Sequence, residues 1–290
     1  MTYPTHPTLD PVAAQRWQLK PRPAESAWLH EEVARRMMQR LDCIKLQPQS
    51  WLHWAPLRAG LQTHAALATR YAQASCTIFE SNPALLQQAQ SCLQAAWWKR
   101  WQTSAPQFVT EVSQPVQMLW ANMGLHLQAQ PQVLLAQWHQ ALEVGGFLMF
   151  SCLGPDTLKE LRALYAALGW PPPAHDLTDM HDVGDMLLEA GFAEPVMDME
   201  HINLSFETPQ RLLHELRGLG RNLHVGRFAS LRARQWQAQL LQAIAEMPLQ
   251  LSFEVVYGHA IKTEPRLTVQ AHSEISLETM RQALARRKAL

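Results

Sequence analysis

The chain has 290 residues, of which 47% are hydrophobic and 17% are charged, and its 25 basic residues equal its 25 acidic residues in number. A chain of this length and composition can bury a full core, which excludes a disordered protein. Zero net charge removes the general attraction that non-specific nucleic-acid binding or a polybasic membrane patch requires. No apolar run approaches the roughly 18 residues of a membrane span. We therefore expect neither nucleic acid nor membrane as a partner.

The first 26 residues are rich in proline and in polar side chains, and they lack the apolar stretch of a secretory signal. We expect them to form a flexible lead to one domain that covers residues 27–262. The four cysteines lie in apolar stretches without Cys-x-x-Cys spacing, which favours buried free thiols over disulfides or metal ligands. They are Cys43, Cys76, Cys92 and Cys152. Free thiols are typical of a reducing compartment, so the cytoplasm is the expected location.

Helical and strand-like patterns alternate between residues 27 and 152. Residues 27–42 carry apolar side chains at helical spacing and predict an amphipathic helix. Short apolar runs predict strands at Trp51–Trp54, Cys76–Phe79, Gln107–Val112, Val116–Ala121 and Gly146–Cys152. The segments between most of these runs predict helices, including Gln62–Gln73, Pro83–Gln94 and Pro131–Leu142. Strands that alternate with helices and are apolar throughout are typical of a parallel sheet covered on both faces.

After Cys152 the pattern changes. Residues 154–170 and 181–192 each predict a helix, with proline and acidic residues at the start of the first and a glycine near the end of the second. Two later runs, EPVMDMEHINLSF and LQLSFEVVYGHAIK, predict long strands, which often add an antiparallel edge to a parallel sheet. Between them, the residues from about 207 to 249 predict an inserted pair of helices. The last segment, residues 263–290, predicts a tail with a basic helix.

This order of elements resembles the class I S-adenosylmethionine-dependent methyltransferases. The resemblance implies an α/β fold with a doubly wound, mostly parallel, seven-stranded Rossmann-like sheet, an antiparallel edge strand and a helical insertion. Four segments resemble the malonyl-thioester (malonyl-acyl-carrier-protein) O-methyltransferases of biotin synthesis: LHEEVARRMMQRLDCIKLQP, SCLGPDTLKELR, DMHDVGDMLLEAGFAEPVMDME and LLHELRGLGRNLH. The similarity runs from about residue 28 to residue 262. It implies methylation of the free carboxyl of a carrier-bound malonyl group, with S-adenosylmethionine as the cofactor.

One stretch departs from the family at the place where the methyl donor binds. The family's first strand and turn read like LDLGCGTG, and the aligned residues here are LHWAPLRA, Leu52–Ala59. His53 stands at the acidic position, and the glycine positions hold Ala55, Leu57 and Ala59. Glycines in such a turn adopt positive φ and let a cofactor approach the backbone without meeting a Cβ atom. We therefore expect S-adenosylmethionine binding to be weak or lost.

The altered turn leads to a structural prediction. Residues 55–60 should run close to the space that a cofactor would occupy, with the side chain of Leu57 or Trp54 partly filling it. An open cavity bounded by Glu80 and Asn122 would count against this prediction and would favour an active enzyme.

The resemblance also indicates which residues would contact the donor if binding survives. Glu80, at the end of the second strand, matches the acid that holds the ribose hydroxyls in this fold, although the sequence ESNP around it equally suits a helix start. Glu111 is the acid available for the adenine, and Asn122 follows the fourth strand. Gly60 could replace a lost glycine if the turn shifted by one residue. No catalytic residue can be assigned.

Cations of the second half of the chain are candidates for binding the substrate carboxylate or an acidic carrier protein. An arginine can hold a carboxylate through two parallel hydrogen bonds, and acidic carriers call for complementary charge. The candidates are Lys159, Arg162, Arg217 and Arg221, with Arg227 beside them. An exposed arginine is also commonly just solvated.

Histidines and aspartates cluster over residues 175–182, a composition that suits a metal site. The matching stretch of the family carries no metal, and its aspartates suit the start of a helix. We therefore expect no metal.

Three functions stay open at this point. The first is a non-catalytic homologue that still binds an acyl carrier protein or a sister protein. The second is an active methyltransferase that acts on a malonyl thioester. The third is an assembly or chaperone-like binding factor, because a related assembly factor of respiratory complex I shares much of the pattern.

Overall fold

The computed structural model describes residues 8–21, 26–93, 105–228, 232 and 234–264. The strands are β1 (Ser50–Trp54), β2 (Ser75–Phe79), β3 (Gln107–Val109), β4 (Val116–Ala121), β5 (Leu142–Leu153), β6 (Phe192–Ser205) and β7 (Gln250–Lys262). The helices are α1 (Pro11–Gln18), α2 (Trp28–Arg40), α3 (Pro56–Ala59), α4 (Leu61–Arg70), α5 (Pro83–Leu93), α6 (Pro131–Ala141), α7 (Lys159–Ala167), α8 (Met180–Glu189), α9 (Pro209–Leu219) and α10 (Arg234–Ala245).

The strands form one seven-stranded sheet in the order β3-β2-β1-β4-β5-β7-β6. β7 is antiparallel to both of its neighbours, whereas the pairs from β1 to β5 are parallel. The predicted doubly wound sheet is thereby confirmed, with the antiparallel strand β7 one place inside the edge strand β6. α9 and α10 lie between β6 and β7 in the chain, where the insertion was predicted. The carboxyl ends of β1, β2 and β4 meet at one edge, the place where open α/β sheets bind ligands.

Buried side chains cover both faces of the sheet. On one face α2 and α4 pack over strand residues such as Trp51 and Trp120. On the other face α6 and α8 cover Leu52, Leu148 and Phe150. Trp51 and Leu52 point to opposite faces because successive side chains of a strand alternate. With both faces covered, β1, β4 and β5 read as apolar runs rather than as alternating patterns.

The segment expected to be a flexible lead contains a helix, α1, at residues 11–18. The Asp10 carboxylate accepts two backbone N–H bonds from the first turn, at 2.9 and 3.1 Å, and Pro11 occupies the first helical position. An aspartate followed by a proline is a helix-start signal, which the overall proline-rich composition obscured. The segment is tied to the insertion by a β-bridge between Leu9 and His224.

All four cysteines are free thiols, as expected, but only Cys76 and Cys152 are buried. Burial raises the pKa of both thiols, to about 12 for Cys152. The expectation of burial is wrong for Cys43 and Cys92, which are exposed. Cys43 lies in the short turn after α2, and Cys92 lies near the end of α5, so each is close to the end of a helix.

Two further features concern the ends and the surface of the protein. The basic helix predicted for the tail falls on residues beyond 264, outside the part of the chain that the structure describes. Among the described residues, no helix combines the length and the apolar character that a membrane crossing requires.

Candidate functional site

A cavity of about 580 Å³ opens at the carboxyl ends of β1, β2 and β4, and we call it the donor cavity. Glu80 and Asn122 lie in its wall, together with Trp54 and Arg58. α1 lines it from the outside through four residues: Pro11, Ala14, Gln15 and Gln18. The volume is within the range of small-molecule sites, roughly 300–1,000 Å³.

The turn after β1 runs along this space as predicted, with Ala55 and Arg58 in the cavity wall, but the prediction that Leu57 or Trp54 partly fills the space is wrong. The Leu57 side chain is only 4% exposed and packs in the core rather than in the cavity wall. Trp54 lies in the wall, but it stacks on Phe79 with ring centroids 3.9 Å apart and leaves the space open. The cause is local: Ala55 adopts the left-handed conformation (φ 51°, ψ 57°), and Pro56 then starts α3, which carries the next side chain into the core.

The backbone donors of this turn are engaged within the protein. The N–H of Ala55 donates to Phe79 O at 2.9 Å, and the N–H of Leu57 donates to Glu80 Oε1 at 3.2 Å. The N–H of Arg58 returns to Ala55 O at 3.0 Å. A ligand in the cavity would therefore compete with existing bonds for these groups.

Gly60 lies away from the donor cavity. Its φ of +111° places its backbone against α2, where an added Cβ atom would lie 2.9 Å from Glu31 Oε2. The same carboxylate accepts the N–H groups of Gln62 and Thr63, at 3.0 and 3.2 Å, and so caps α4. In this structure Gly60 permits close packing of two helices, and it does not join Glu80 in the cavity wall.

Asn122 connects three parts of the fold. Its Nδ2 donates to the carbonyls of His30 (2.9 Å) and Ala59, and its Oδ1 accepts from Ser151 Oγ at 2.5 Å. Its polar atoms thus hold α2, the turn after β1 and β5 together. Glu111 is exposed, and it follows the cavity-lining Thr110 without lining the cavity itself.

His53 occupies the position of the family's strand acid, and its side chain points into the core. Its ring stacks on that of His64 with the centroids 5.3 Å apart and the Nδ1 atoms 3.1 Å apart. Burial lowers the pKa of His53 well below its usual 6.5, and the charge of His64 acts in the same direction. Burial also lowers the pKa of His64 to about 4. The strand therefore presents a neutral imidazole where a carboxylate is expected.

A second cavity, of about 380 Å³, lies beneath the helical insertion, and we call it the acceptor cavity. Three of the four predicted cations line it: Arg162, Arg217 and Arg221. Lys159 does not line it, because it lies on the outer side of α7 and pairs with Asp156 at 3.6 Å. The apolar part of the lining includes Leu29, Met123, Leu161, Leu213, Leu216, Leu240 and Phe253.

Arg162 is the half-buried cation of the acceptor cavity. Its Nη2 donates to His175 O at 2.7 Å and its Nε donates to Thr157 O at 3.2 Å. Burial lowers the pKa of this guanidinium, and the carboxylate of Asp176, 3.6 Å away, opposes that shift. A cation that has lost water in this way is stabilised further by an anion that enters the cavity.

Sequence reasoning missed one cation of this cavity, Arg232. Its guanidinium lies between two rings, 3.8 Å from the ring centroid of Phe228 and 3.7 Å from that of Trp236. It also hydrogen-bonds Tyr165 and thereby opposes the rise that burial causes in the tyrosine's pKa. Arg232 lies two residues before the start of α10, so helical spacing in the sequence did not mark it.

The two cavities adjoin. Leu127 lines both, and Asn122 in the wall of the donor cavity is followed by Met123 in the wall of the acceptor cavity. A ligand in one cavity would lie next to a ligand in the other, which is the arrangement that a group transfer needs.

The histidines and aspartates of residues 175–182, considered above as a metal site, do not form one cluster in the structure. His175 is buried and hydrogen-bonds His126 O at 2.9 Å, whereas Asp179 caps α8 and contacts His181. One cluster elsewhere in the described residues could hold an ion: ligand atoms of Asp156, His201 and Glu254 lie within 4.8 Å of one another. The ammonium of Lys159 already lies beside Asp156, so we assign no metal there.

Comparison with known proteins identifies the family. No protein-family model matches the chain. Malonyl-[acyl-carrier protein] O-methyltransferases from Gallionella capsiferriformans and Laribacter hongkongensis are each 35% identical to it, over 258 and 257 residues. The two alignments cover 83% of this chain and 87% and 85% of those proteins. The enzyme of that name from Nitrosospira multiformis is 32% identical over 281 residues, which are 88% of this chain and 90% of the relative.

Solved structures agree on the fold. BH2331, a candidate methyltransferase from Bacillus halodurans C-125, superimposes with a TM-score of 0.53 at 13% identity. YcgJ from Bacillus subtilis also gives 0.53, at 10% identity, and each match covers 80% of this chain and 99% of the other. With the sequence relatives, the sheet order and the two adjoining cavities taken together, the chain belongs to the malonyl-acyl-carrier-protein O-methyltransferase family and has the class I S-adenosylmethionine-dependent methyltransferase fold.

Proposed function

We propose that this family member recognises a malonyl thioester carried on an acyl carrier protein but has lost tight binding of S-adenosylmethionine, which makes it a non-catalytic homologue. One observation carries the proposal: three arginines line the acceptor cavity, whereas the turn beside the donor cavity has lost the family's glycines and its Leu57 N–H is bonded to Glu80.

The charges of the donor cavity support weak donor binding. Among the described residues, its lining holds one acid, Glu80, and one cation, Arg58. S-adenosylmethionine carries a sulfonium, an ammonium and a carboxylate group and is therefore a net cation near neutral pH, so a carboxylate that is not matched by a cation would favour its binding. One carboxylate oxygen of Glu80 already accepts the N–H of Leu57. The position of the family's strand acid holds His53, which is neutral and buried.

The acceptor cavity suits a short acyl chain that ends in a carboxylate. Arg162 is the half-buried cation of this cavity, whereas Arg217 and Arg221 are exposed and so lie at its mouth. Leucine side chains between them can cover an apolar linker. The malonyl carboxylate would meet Arg162, and the thioester arm would pass out beneath the insertion.

An active methyltransferase is the second candidate, because the donor cavity keeps about 580 Å³ of open space between Glu80 and Asn122. The reaction asks little acid or base chemistry of the protein, since a malonyl carboxylate is already ionised near neutral pH. Arg162 would hold that carboxylate, and α1 would exclude water from the donor side. The donor, when bound, would supply the electrophilic methyl group.

Titration with S-adenosylmethionine and with its demethylated product separates the two candidates. We expect no binding of either below millimolar concentration. A micromolar site corresponds to about 8 kcal/mol of binding free energy, and saturation at 100 times such a dissociation constant would add about 2.7 kcal/mol of stability. That would raise the melting temperature by about 4 °C for a chain of this length. Such a rise, or calorimetric heat with unit stoichiometry, would establish the active enzyme instead.

Recognition of the malonyl group needs its own test. Malonyl-pantetheine should bind about tenfold more tightly than butyryl-pantetheine, which has the same length but no charge. Arg162→Gln should remove this preference, and Lys159→Gln, on the same helix but outside the cavity, should keep it. Equal binding of the two thioesters by the unaltered protein would refute malonyl recognition.

A further inference from the structure

A third cavity, of about 300 Å³, lies between α1 and the loop that follows α9, and we call it the basic cavity. Its lining contains four cations and one acid in a protein whose total charge is zero. The cations are Arg16, Lys20, Arg221 and Arg227, and the acid is Asp10. The local excess of positive charge is therefore a property of this place and not of the whole molecule.

The two walls of the basic cavity are joined by specific contacts. Arg227 Nη2 lies 2.8 Å from a carboxylate oxygen of Asp10. The backbone N–H of Ala13 contributes most to lowering the pKa of that carboxyl, the side chain of Arg227 comes next, and the backbone N–H of Val12 acts in the same direction. The N–H of Asp10 donates to Leu223 O at 2.8 Å, and the N–H of Val225 donates to Thr8 O at 2.8 Å. Because Asp10 is matched by Arg227, the charge that faces a ligand comes from the other three cations.

Those three cations are arranged for a small anion. Arg221 is oriented by its Nη1 atom, which donates to the carbonyls of Arg217 and Gly220 at 2.6 and 2.7 Å, and its guanidinium lies 5.3 Å from the ring centroid of Trp17. Its Nε and Nη2 remain for a ligand. Arg16 lies in the last turn of α1, where cations are favoured by the helix dipole, and Lys20 lies two residues beyond the end of α1.

The basic cavity continues into the acceptor cavity. Arg221 and Asn222 line both. Asn222 is held in this position by its Nδ2, which donates to Pro172 O at 2.7 Å. A ligand long enough to occupy both cavities would therefore pass Arg221 and reach Arg16 and Lys20.

We propose that the basic cavity binds the phosphate ester of a pantetheine arm whose acyl end occupies the acceptor cavity. Guanidinium and ammonium groups bind phosphate oxygens through charge-assisted hydrogen bonds, and an apolar, amide-containing linker fits the leucine-lined passage between the cavities. The identity of the acyl end rests on the proposed function. The phosphate site is inferred separately, from the cations of the α1 segment and of the loop after α9. Because α1 also lines the donor cavity, an arm bound here would hold α1 closed over it.

Four probes test the site: malonyl- and butyryl-thioesters, each made with pantetheine and with 4′-phosphopantetheine. The unaltered protein should bind the phosphorylated member of each pair about tenfold more tightly, and the difference should shrink as salt is raised. Arg16→Gln/Lys20→Gln, which keeps side-chain length and helix propensity, should bring the ratio to about one. Arg211→Gln, an exposed arginine of α9 paired with Glu215, is the matched control and should keep the ratio.

The two proposals fail in different ways. If the phosphate preference holds for both acyl groups but malonyl and butyryl bind alike, the proposed function is wrong and the phosphate site stands. If malonyl is preferred but phosphate makes no difference, or if the double variant keeps the phosphate preference, the phosphate site is refuted. Inorganic phosphate, added as a competitor, distinguishes a site for free anions from a site that requires the pantetheine arm. If it displaces the phosphorylated thioesters only at millimolar concentration, the result supports a site that requires the arm.

Discussion

Mild acid should destabilise the protein through the histidine pair that stands beside the altered donor turn. His53 and His64 are buried, and their Nδ1 atoms are 3.1 Å apart. Burial lowers the pKa of His64 to about 4, and it lowers the pKa of His53 well below 6.5. Both rings are therefore neutral in the folded protein at neutral pH and titrate normally in the unfolded chain.

A histidine with a lowered pKa in the folded state takes up its proton more readily when the chain unfolds. The stability that it contributes is complete above pH 6.5 and is lost as the pH falls from 6.5 towards the folded pKa. For His64, a shift from 6.5 to about 4 corresponds to a loss of about 2 kcal/mol between pH 7 and pH 5. His53 adds a loss in the same direction.

Urea unfolding followed by tryptophan fluorescence at pH 7, 6 and 5 measures this loss. His64→Gln removes one titrating ring and keeps a side chain that can hydrogen-bond His53, so its free energy of unfolding should fall by about 2 kcal/mol less than that of the unaltered protein over this range. His181→Gln, at an exposed position, should follow the unaltered protein. Parallel curves for the unaltered protein and His64→Gln would refute the burial of neutral rings at this site.

Three further variants test the site. Asn122→Ala should lower the free energy of unfolding by about 3 kcal/mol in urea titrations, because it removes two buried hydrogen bonds and a partly buried one and leaves Ser151 Oγ without its acceptor. A loss below about 1 kcal/mol would contradict this structural role. Gly60→Ala should cost about 1–3 kcal/mol by the same measurement, because of its positive φ and of the contact with Glu31, and a neutral effect would show that the turn can rearrange. Arg217→Gln should weaken malonyl-pantetheine binding by a factor of about three in calorimetry, as expected for an exposed cation at the mouth of the cavity, whereas a loss as large as that of Arg162→Gln would mean that the carboxylate binds at the mouth.

Most of the fold could be predicted from the local sequence. The apolar runs at Val116–Ala121 and Gly146–Cys152 lie in β4 and β5, where both faces are covered, and their side chains are therefore apolar except for those of Gln117 and Ser151. The resemblance of the GPDTLKELR and LLHELRGLGRNLH segments to the family also directed attention to Arg162, Arg217 and Arg221, which the fold brings to one cavity.

Tertiary contacts decided the shape of the site. Leu57 is apolar, and its position in the aligned turn suggested that it would block the donor cavity, yet the left-handed backbone at Ala55 turns it into the core. The turn is held by bonds to the end of β2, from Ala55 N–H to Phe79 O and from Leu57 N–H to Glu80 Oε1. α1 is held over the cavity by contacts with the loop at Arg227. A local pattern reports which side chains avoid water, but the path of a turn depends on partners distant in the chain. The apolar segments of this protein could therefore be read from its sequence, whereas the open donor cavity and the basic cavity exist only in the folded chain.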